Sequence, residues 1–513
     1  MKKILLILLT LLLPGVALAA RPNVIVILAD DQRADYLGCA GHPVVQTPNI
    51  DAIAARGAYF QNAFVTSAAC TPSRTSILTG QYERKHGVTF GSGSSLSKTA
   101  FAKTYPMVLK KKGYFTGYVG KNHTPAGEGG YRSQLMEEEF DYWYGNHGHS
   151  TFYPKKRHKI YSGAKANTQP EIFREGALNF LQENDEFQAA NAFLQKRPKE
   201  QPFCLLVNFN VPHGAGTSSM KQLPGDPALY RTTYRDQANQ KLLVPPKNYV
   251  AKTDIQQKKI PAKAYNGEYI SQYNYVQTAE TLRERQIRTC QTVTGIDNLV
   301  GALVAELKRQ KIEDNTILLY FADHGLQHGE HGLGGKVLLY EDSVRVPFII
   351  YDPRLPKNCQ GLRPEELVLS IDIAPTLLAL TDTPAPKGMQ GKSLVPLLEG
   401  KKVPWRSDFF MENMFMGQNY PRIEAVRTQR WKYIRYFDKK LDQPHIKSLF
   451  ASIQGEKPIY EELYDLQSDP GETKNLAKSQ KYATQLAEIQ KRCHALLLEA
   501  RDGDALPDTY RGK

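Results

Sequence analysis

The chain has 513 residues, 23% charged and 41% hydrophobic, with 66 Lys and Arg against 52 Asp and Glu, a net charge of +14. That length exceeds one small module and accommodates a large α/β domain with a smaller companion, and the composition excludes a disordered chain. The basic balance favours anionic partners, nucleic acid or sulfated and carboxylated polysaccharide, against a plain solubility role for spread charge; with no nucleic-acid module signature, nucleic acid is set aside.

Lys2 and Lys3 open the chain, Ile4 to Leu13 is apolar apart from Thr10, and Ala17-Leu18-Ala19 supplies a small-x-small pattern. Residues 1–19 read as a signal peptide whose apolar run is too short to span a bilayer. No later run reaches transmembrane length, and no cysteine follows the apolar run until Cys39, so no stable membrane anchor is expected. The expectation is an exported, soluble protein, periplasmic or secreted. Export permits disulfides, yet the six cysteines are scattered and form no CxxC pair. They suggest neither a zinc site nor a disulfide framework; if Cys70 has a chemical task, at most two bridges can form.

"VIVILA" (Val24 to Ala29) is a continuous apolar run and predicts a buried parallel strand ending at Asp30-Asp31. "TPNIDAIAARG" predicts a helix with Thr47 as N-cap, Pro48 at the first position and Gly57 as the stop. "TYPMVLKKKGY" predicts a short helix ending at Gly113. Strands follow at "FTGYVGKNH", ending in Lys121, Asn122 and His123, and at "PFCLLVNFNVPH", ending in Pro212-His213. A long helix is expected from about Ala279 to Lys311, with Ile296, Val300, Leu303, Val304 and Leu307 on one face. "TILLYFADHG" is a strand ending in Asp323-His324, then come "VPFIIYD" and a helix at "SIDIAPTLLAL".

Strands alternating with helices predict a large doubly wound, mostly parallel sheet flanked by helices, an α/β domain over 20–400. A composition shift at Gly400 to Pro404 predicts a boundary. Beyond it, 401–513 reads as a smaller α+β subdomain: antiparallel strands at "FFMEN", "EAVRTQRWKYIRYF" and "ELYDLQSDPGE", covered by a helix over roughly Gln480 to Leu498. Polar, aromatic-rich excursions at 124–195 and 214–285 are expected over the site mouth.

In a doubly wound sheet the ligand sits beyond the carboxyl ends of the strands. Here four such ends carry Asp-Asp, Lys-x-His, Pro-His and Asp-His. Taken singly, each Asp suits a turn or helix cap, and each His or Lys suits the surface; the case rests on the set. Asp30, Asp31 and Asp323 repel unless a hard cation neutralises them, which points to calcium or magnesium, with His324 as a nitrogen ligand. Lys121 and His123, two apart on an extended segment, face the same way and suit an anionic tetrahedral substrate. His213 and Lys336, in "GLGGK", extend that set.

Cys70, in "SAACTPSRTSILTG", lies just before a predicted helix N-terminus, and Arg74 stands one turn along. Dipole and guanidinium together describe an activated thiolate. A soft thiolate beside a hard cation is nevertheless a mismatch.

Cys-Thr-Pro-Ser-Arg followed by Leu78-Thr79-Gly80 resembles the sulfatase signature. The resemblance extends through "RPNVIVILADDQ", "GYFTGYVGKNH", "VNFNVPH", "TILLYFADHGLQHGEHGLGGK", "VPFII" and "DIAPTLLAL" to "ELYDLQSDPGETKNLA". It implies the alkaline-phosphatase-like fold and a cysteine converted to formylglycine by a maturation enzyme. It further implies one divalent metal held by Asp30, Asp31, Asp323 and His324 with position 70, His324 standing where the family often has Asn. Arg74 resembles the residue supporting formylglycine, and Lys121, His123, His213 and Lys336 resemble those that hold sulfate and move protons. The implied cycle has Asp323 as base for the attacking hydroxyl, His213 as acid for the leaving alcohol and His123 as base for sulfate release. The expected activity is sulfate removal from a sulfated carbohydrate, with His147, His149, Phe152, Tyr153 and Arg345 as sugar-contact candidates. The competing readings are an aryl sulfatase, a phosphonate monoester or phosphodiester hydrolase, and a glycan binder without catalysis.

Overall fold

The computed structural model describes residues 21–147, 190–213, 228–256, 259–265, 276–414, 420–437, 449–503 and 505–510. The segment 1–19, His149, Phe152, Tyr153 and much of both excursions lie outside them.

The central strands are β1 (Asn23–Asp30), β2 (Ala58–Tyr59), β3 (Phe115–Asn122), β4 (Tyr142–His147), β5 (Phe203–Pro212), β6 (Thr316–Ala322) and β7 (Phe348–Tyr351). They form one seven-stranded sheet in the order β2-β7-β6-β1-β5-β3-β4. Every residue of β1 is buried, which is why its sequence between Asn23 and Asp30 is unbroken apolar rather than alternating. β6, β1, β5, β3 and β4 run parallel, with Ile27 facing Val207 on one side and Tyr320 on the other. β7 runs antiparallel to both β6 and β2. The link from β6 to β7 holds a small antiparallel ladder, Gln327–His328 with Gly334–Gly335, and a one-turn helix, Glu341–Val344, but no helix long enough to cross back over the sheet, so the chain re-enters at the end it left.

The principal helices are α1 (Pro48–Arg56), α2 (Cys70–Thr79), α3 (Tyr105–Lys111), α4 (Ala279–Arg309), α5 (Ile373–Leu380) and α6 (Ala483–Arg501). α4 starts at a capping box between Thr278 and Thr281 and buries Ile296, Val300, Leu303 and Leu307, with Val304 half-buried at the edge of that face. α1 begins at the expected Thr47, but the Thr47 hydroxyl makes no cap. It donates to Asp51 at 2.9 Å and accepts from the Gly38 amide at 2.8 Å, tying the preceding turn to the helix instead.

A second sheet, β8 (Asp408–Asn413), β9 (Ile423–Thr428), β10 (Trp431–Tyr436) and β11 (Tyr460–Asp465), is antiparallel throughout. Its alternation separates two faces. Phe409, Met411, Ala425 and Ile434 join the main core. Phe410, Val426, Tyr433 and Leu463 pack with Ile489, Cys493, Leu496 and Leu497 of α6. The second sheet thus shares one of its cores with the first. All six cysteines are free. Among the described residues no helix is long and apolar enough to cross a membrane.

Candidate functional site

The parallel register brings the carboxyl ends of β1, β3, β5 and β6 to one edge of the sheet, and α2 arrives there at its N-terminus. Successive residues on a strand face opposite ways. Asp30 and Asp31 nonetheless reach one place, because Asp31 adopts φ 64°, the left-handed turn that Asp tolerates better than most residues. The Asp31 amide donates to Asp323 Oδ1 at 3.1 Å, and the His213 amide to the Asp30 carbonyl at 2.9 Å, which fixes the neighbouring strand ends around it.

Cys70 is the first residue of α2 and Ala69 its N-cap, one position later in the helix than the sequence suggested. All ten residues of α2 are buried, although the helix is rich in hydroxyls and has no apolar stripe. The hydroxyls are satisfied locally: Thr75 donates to the Thr71 carbonyl and Thr79 to that of Thr75, each at 2.8 Å. Ser73 donates to the Asp323 carbonyl at 2.5 Å, which locks the helix start to β6. Gly80 ends the helix at φ 66°, its amide bonded to the Ser76 carbonyl.

Around Cys70 Sγ stand Lys336 Nζ at 2.9 Å, His324 Nε2 at 3.2 Å, and Lys121 Nζ and Asp30 Oδ1 each at 3.7 Å. His123 hydrogen-bonds the same sulfur. Burial alone would push the thiol up, but Lys121, Lys336 and His324 hold it well below its ordinary value. The pocket therefore stabilises negative charge at position 70. Lys121 pairs with Asp30, and Lys336 with Asp31 at 2.9 Å. Arg74 Nε donates to Asp323 Oδ2 at 2.8 Å, and its Nη2 lies 3.8 Å from Asp30.

Ligand atoms of Asp30, Asp31, Cys70 and His324 lie within 4.8 Å of one another, a donor set with room for one cation. Three features of this set fit a hard divalent ion. Burial pushes Asp30 well above the carboxylate range, with Asp323 adding to it, the signature of crowded carboxylates lacking sufficient positive charge. His324 Nδ1 sits 2.9 Å from the Gly325 carbonyl, so Nδ1 carries the proton and Nε2 faces the carboxylates. Its Nε2 is 3.3 Å from Asp31 Oδ1. Asp323 stands beside this group rather than within it, because one of its oxygens is held by Arg74 and the other by the Asp31 amide.

The imidazoles differ. Burial, reinforced by Lys121, lowers His123 to about 4. Burial lowers His213 to about 3, partly opposed by Asp31. Both are neutral near pH 7. His213 and Lys336, 10% and 11% exposed, are where the cluster meets solvent, while Lys121, Asp31 and His324 are fully buried.

A bracket behind β3 escaped the sequence reading. The Asn122 amide lies 2.8 Å from His147 Nδ1, and His147 Nε2 bonds Glu137. Tyr131 stacks on His123 at 6.3 Å and tilts over His147 at 5.4 Å, while Phe90 meets His123 edge-on. His147, a sugar-contact candidate from the sequence, is thereby a buried support for the strand that carries Lys121 and His123. His147→Ala is expected to lower kcat roughly 10- to 100-fold through misplacement of that strand end, with KM little changed, measured by steady-state kinetics. Arg345, the other described candidate, does not join the cluster; it donates to the Gln61 carbonyl at 3.0 and 2.7 Å.

Comparison with known proteins gives a consistent picture. A family model described as Sulfatase matches residues 22–383, and one described as N-sulphoglucosamine sulphohydrolase, C-terminal, matches 329–450. An arylsulfatase of Clostridium perfringens is 28% identical, with 92% of this chain and 93% of the relative covered. An N-acetylglucosamine-6-O-sulfatase of Bacteroides thetaiotaomicron is 25% identical over 96% of this chain and 92% of its own. A protein solved with its substrate D-glucosamine-2-N,6-O-disulfate shares the fold, with TM-score 0.65, 23% identity and coverage of 95% and 99%. A phosphonate monoester hydrolase of Agrobacterium radiobacter does so with TM-score 0.70, 22% identity and coverage of 94% and 96%.

Proposed function

This chain belongs to the sulfatase family, and from that premise we propose that it is an exported sulfuric ester hydrolase that removes sulfate from a sulfated carbohydrate. The observation that carries the mechanism is the placement of Cys70 on the first turn of a buried helix, within 3.7 Å of two lysines, a histidine and an aspartate. Conversion to formylglycine at position 70 supplies a hydrated aldehyde, with one hydroxyl to attack sulfur and a second to release sulfate. A divalent cation, calcium before magnesium, suits Asp30, Asp31 and His324 together with an oxygen at position 70, and Asp323 completes the charge around it. When bound, that cation supplies Lewis acidity toward a sulfate oxygen.

The chain's own residues do the rest. Lys121, Lys336 and Arg74 offset the charge on the transferring group from fixed, water-excluded positions. Asp323, ionised and bonded to Arg74 beside the donor set, is the candidate base for the proton of the attacking hydroxyl. His123, neutral and bonded to position 70, suits the second deprotonation. His213 borders the solvent-facing side of the cluster and is the candidate acid for the leaving alcohol. An anionic substrate oxygen beside it raises its proton affinity and so lets it donate. Export is supported by the basic, apolar and small-residue pattern of residues 1–19. The carbohydrate reading is supported by the excess of basic residues and by the N-acetylglucosamine-6-O-sulfatase relative.

The test is sulfate release from sulfated monosaccharides, glycosaminoglycans and algal polysaccharides by chain co-produced with a formylglycine-generating enzyme. Release from one glycan is expected, together with loss on chelation and recovery with calcium. A fully converted position 70 and silence across the panel would overturn the carbohydrate reading. The second reading, a phosphonate monoester or phosphodiester hydrolase, is favoured by the fold likeness to the Agrobacterium enzyme; relative rates on a sulfate ester and a phosphodiester separate the two.

A further inference from the structure

The ladder between β1 and β6 ends at Ala29 and Ala322, with one further bond from the Asp323 amide to the Ala29 carbonyl at 3.1 Å. Asp31 and His324, two of the candidate cation ligands, both lie past that point, on segments that have left the sheet. Their spacing, 3.3 Å from Asp31 Oδ1 to His324 Nε2, depends on what holds those two segments together.

Arg33 holds them. It stands two residues beyond Asp31 and is buried. Its Nη1 donates to the carbonyl of Leu326, two residues beyond His324, at 3.1 Å and to Glu330 at 2.7 Å. Nη2 donates to Asp342 and to Asp35, each at 3.1 Å, and Nε to Asp35 at 3.0 Å. These five bonds use all five N–H donors of a guanidinium. The other Glu330 oxygen accepts from the His328 amide, so the turn after His324 is tied to Arg33 twice. The Asp342 arm closes the frame. The Gly325 amide donates to the Ser343 carbonyl at 2.8 Å, and a Cβ on Gly325 would lie 2.2 Å from the Asp342 carbonyl oxygen. The chain leaving His324 is thus pressed against the same turn that Arg33 grips from the Asp31 side.

We propose that Arg33 is a positioning residue of the cation site, acting through Asp31 and His324 by fixing the distance between their donor atoms. The inference rests on the reading that these two residues hold a divalent cation. Loss of a partner that orients metal ligands typically lowers metal affinity roughly 10- to 100-fold.

The test is Arg33→Lys, which keeps the charge but offers three donors on one nitrogen to four partners. The segment stays pinned by the bond from the Tyr320 hydroxyl to Gln32 and by that from Gln32 to the Tyr36 carbonyl, so the variant is expected to fold. The control is Arg354→Lys. Arg354 makes a similar fork to Asp352 and the Leu380 carbonyl, but in the chain that follows β7, at the opposite end of the sheet. Calorimetry reads Kd for calcium on the converted, chelator-stripped enzyme. Amide exchange of peptides spanning 322–331 is read on the stripped protein. Arg33→Lys is expected to raise the calcium Kd tenfold or more and to speed that exchange, while Arg354→Lys leaves both at the parent's values. Glu330→Gln has one acceptor oxygen for two donors, Arg33 and the His328 amide, and is expected to raise the Kd threefold or more; it carries the test if Arg33→Lys does not fold. An unchanged calcium Kd overturns the proposal, as does unchanged exchange over 322–331 or an equal rise in Kd in Arg354→Lys. If the parent binds neither calcium nor magnesium, the cation reading fails by itself, and the exchange arm still decides whether Arg33 holds the His324 segment.

Discussion

Cys70→Ala is expected to lower sulfate release roughly 10⁴- to 10⁶-fold, the scale on which removal of a nucleophile acts. Cys70→Ser is the sharper experiment. A serine here keeps a hydroxyl at the helix start, among Lys121, Lys336 and His324, and so retains an oxygen nucleophile in the same electrostatic pocket. It lacks the second hydroxyl that a hydrated aldehyde offers for release. The expected result is a single round: one equivalent of alcohol freed, then arrest, with a protein mass gain of about 80 Da for the retained sulfuryl group. Intact-mass spectrometry after incubation with substrate reads this directly. Sustained turnover by Cys70→Ser near the wild-type rate would sink the two-hydroxyl mechanism, because one hydroxyl would then suffice.

Much of this site was legible in the sequence for one physical reason. A parallel strand covered on both faces must be a continuous apolar run, so the point where the run stops is also where the chain emerges at the ligand edge. "VIVILA" stopping at Asp30 and "TILLYF" stopping near Asp323 made the acidic cluster visible before any geometry. Local backbone detail was not legible. No composition rule announces that Asp31 turns left-handed and brings two consecutive carboxylates together, or that Val337 follows Lys336 at φ 81°, a costly conformation for a β-branched side chain. The support behind His123 was hidden too, because Tyr131, Glu137 and His147 come from three separate short elements whose residues meet only in three dimensions. Nor does the hydroxyl-rich sequence of helix α2 announce its burial: every residue is buried, because the hydroxyls bond the helix's own carbonyls and its neighbours.

Arg84, in the charged run "YERKHG", carries the largest expected effect on stability. In the fold Arg84 is fully buried and joins the α2 region to the second sheet. Its Nε reaches Glu412 at 2.6 Å, Nη2 reaches Glu424 at 2.7 Å and Nη1 the Leu449 carbonyl at 2.8 Å. Burial pushes Glu412 above the usual carboxylate range against the pull of Arg84, whereas Glu424, held by both Arg84 and Arg435 against the same burial, sits at about 2. Arg84→Met keeps most of the side-chain volume and removes the charge. It leaves two buried carboxylates with Arg435 as the remaining near cation, and a loss of about 3–5 kcal/mol of unfolding free energy is expected. The sign of the pH dependence follows from the direction of the shift. In the wild type the depressed Glu424 stabilises above its unfolded value near 4.3 and loses that contribution as pH falls toward about 2. In the variant the orphaned carboxylates are raised instead, so acid relieves them. The deficit between wild type and Arg84→Met should therefore be largest near pH 7–8 and shrink toward pH 5, read as paired denaturant midpoints across that range. A deficit that stays constant with pH would assign the loss to packing rather than to the buried charges, and a deficit below about 1 kcal/mol would mean that the two sheets do not depend on this cluster for their union.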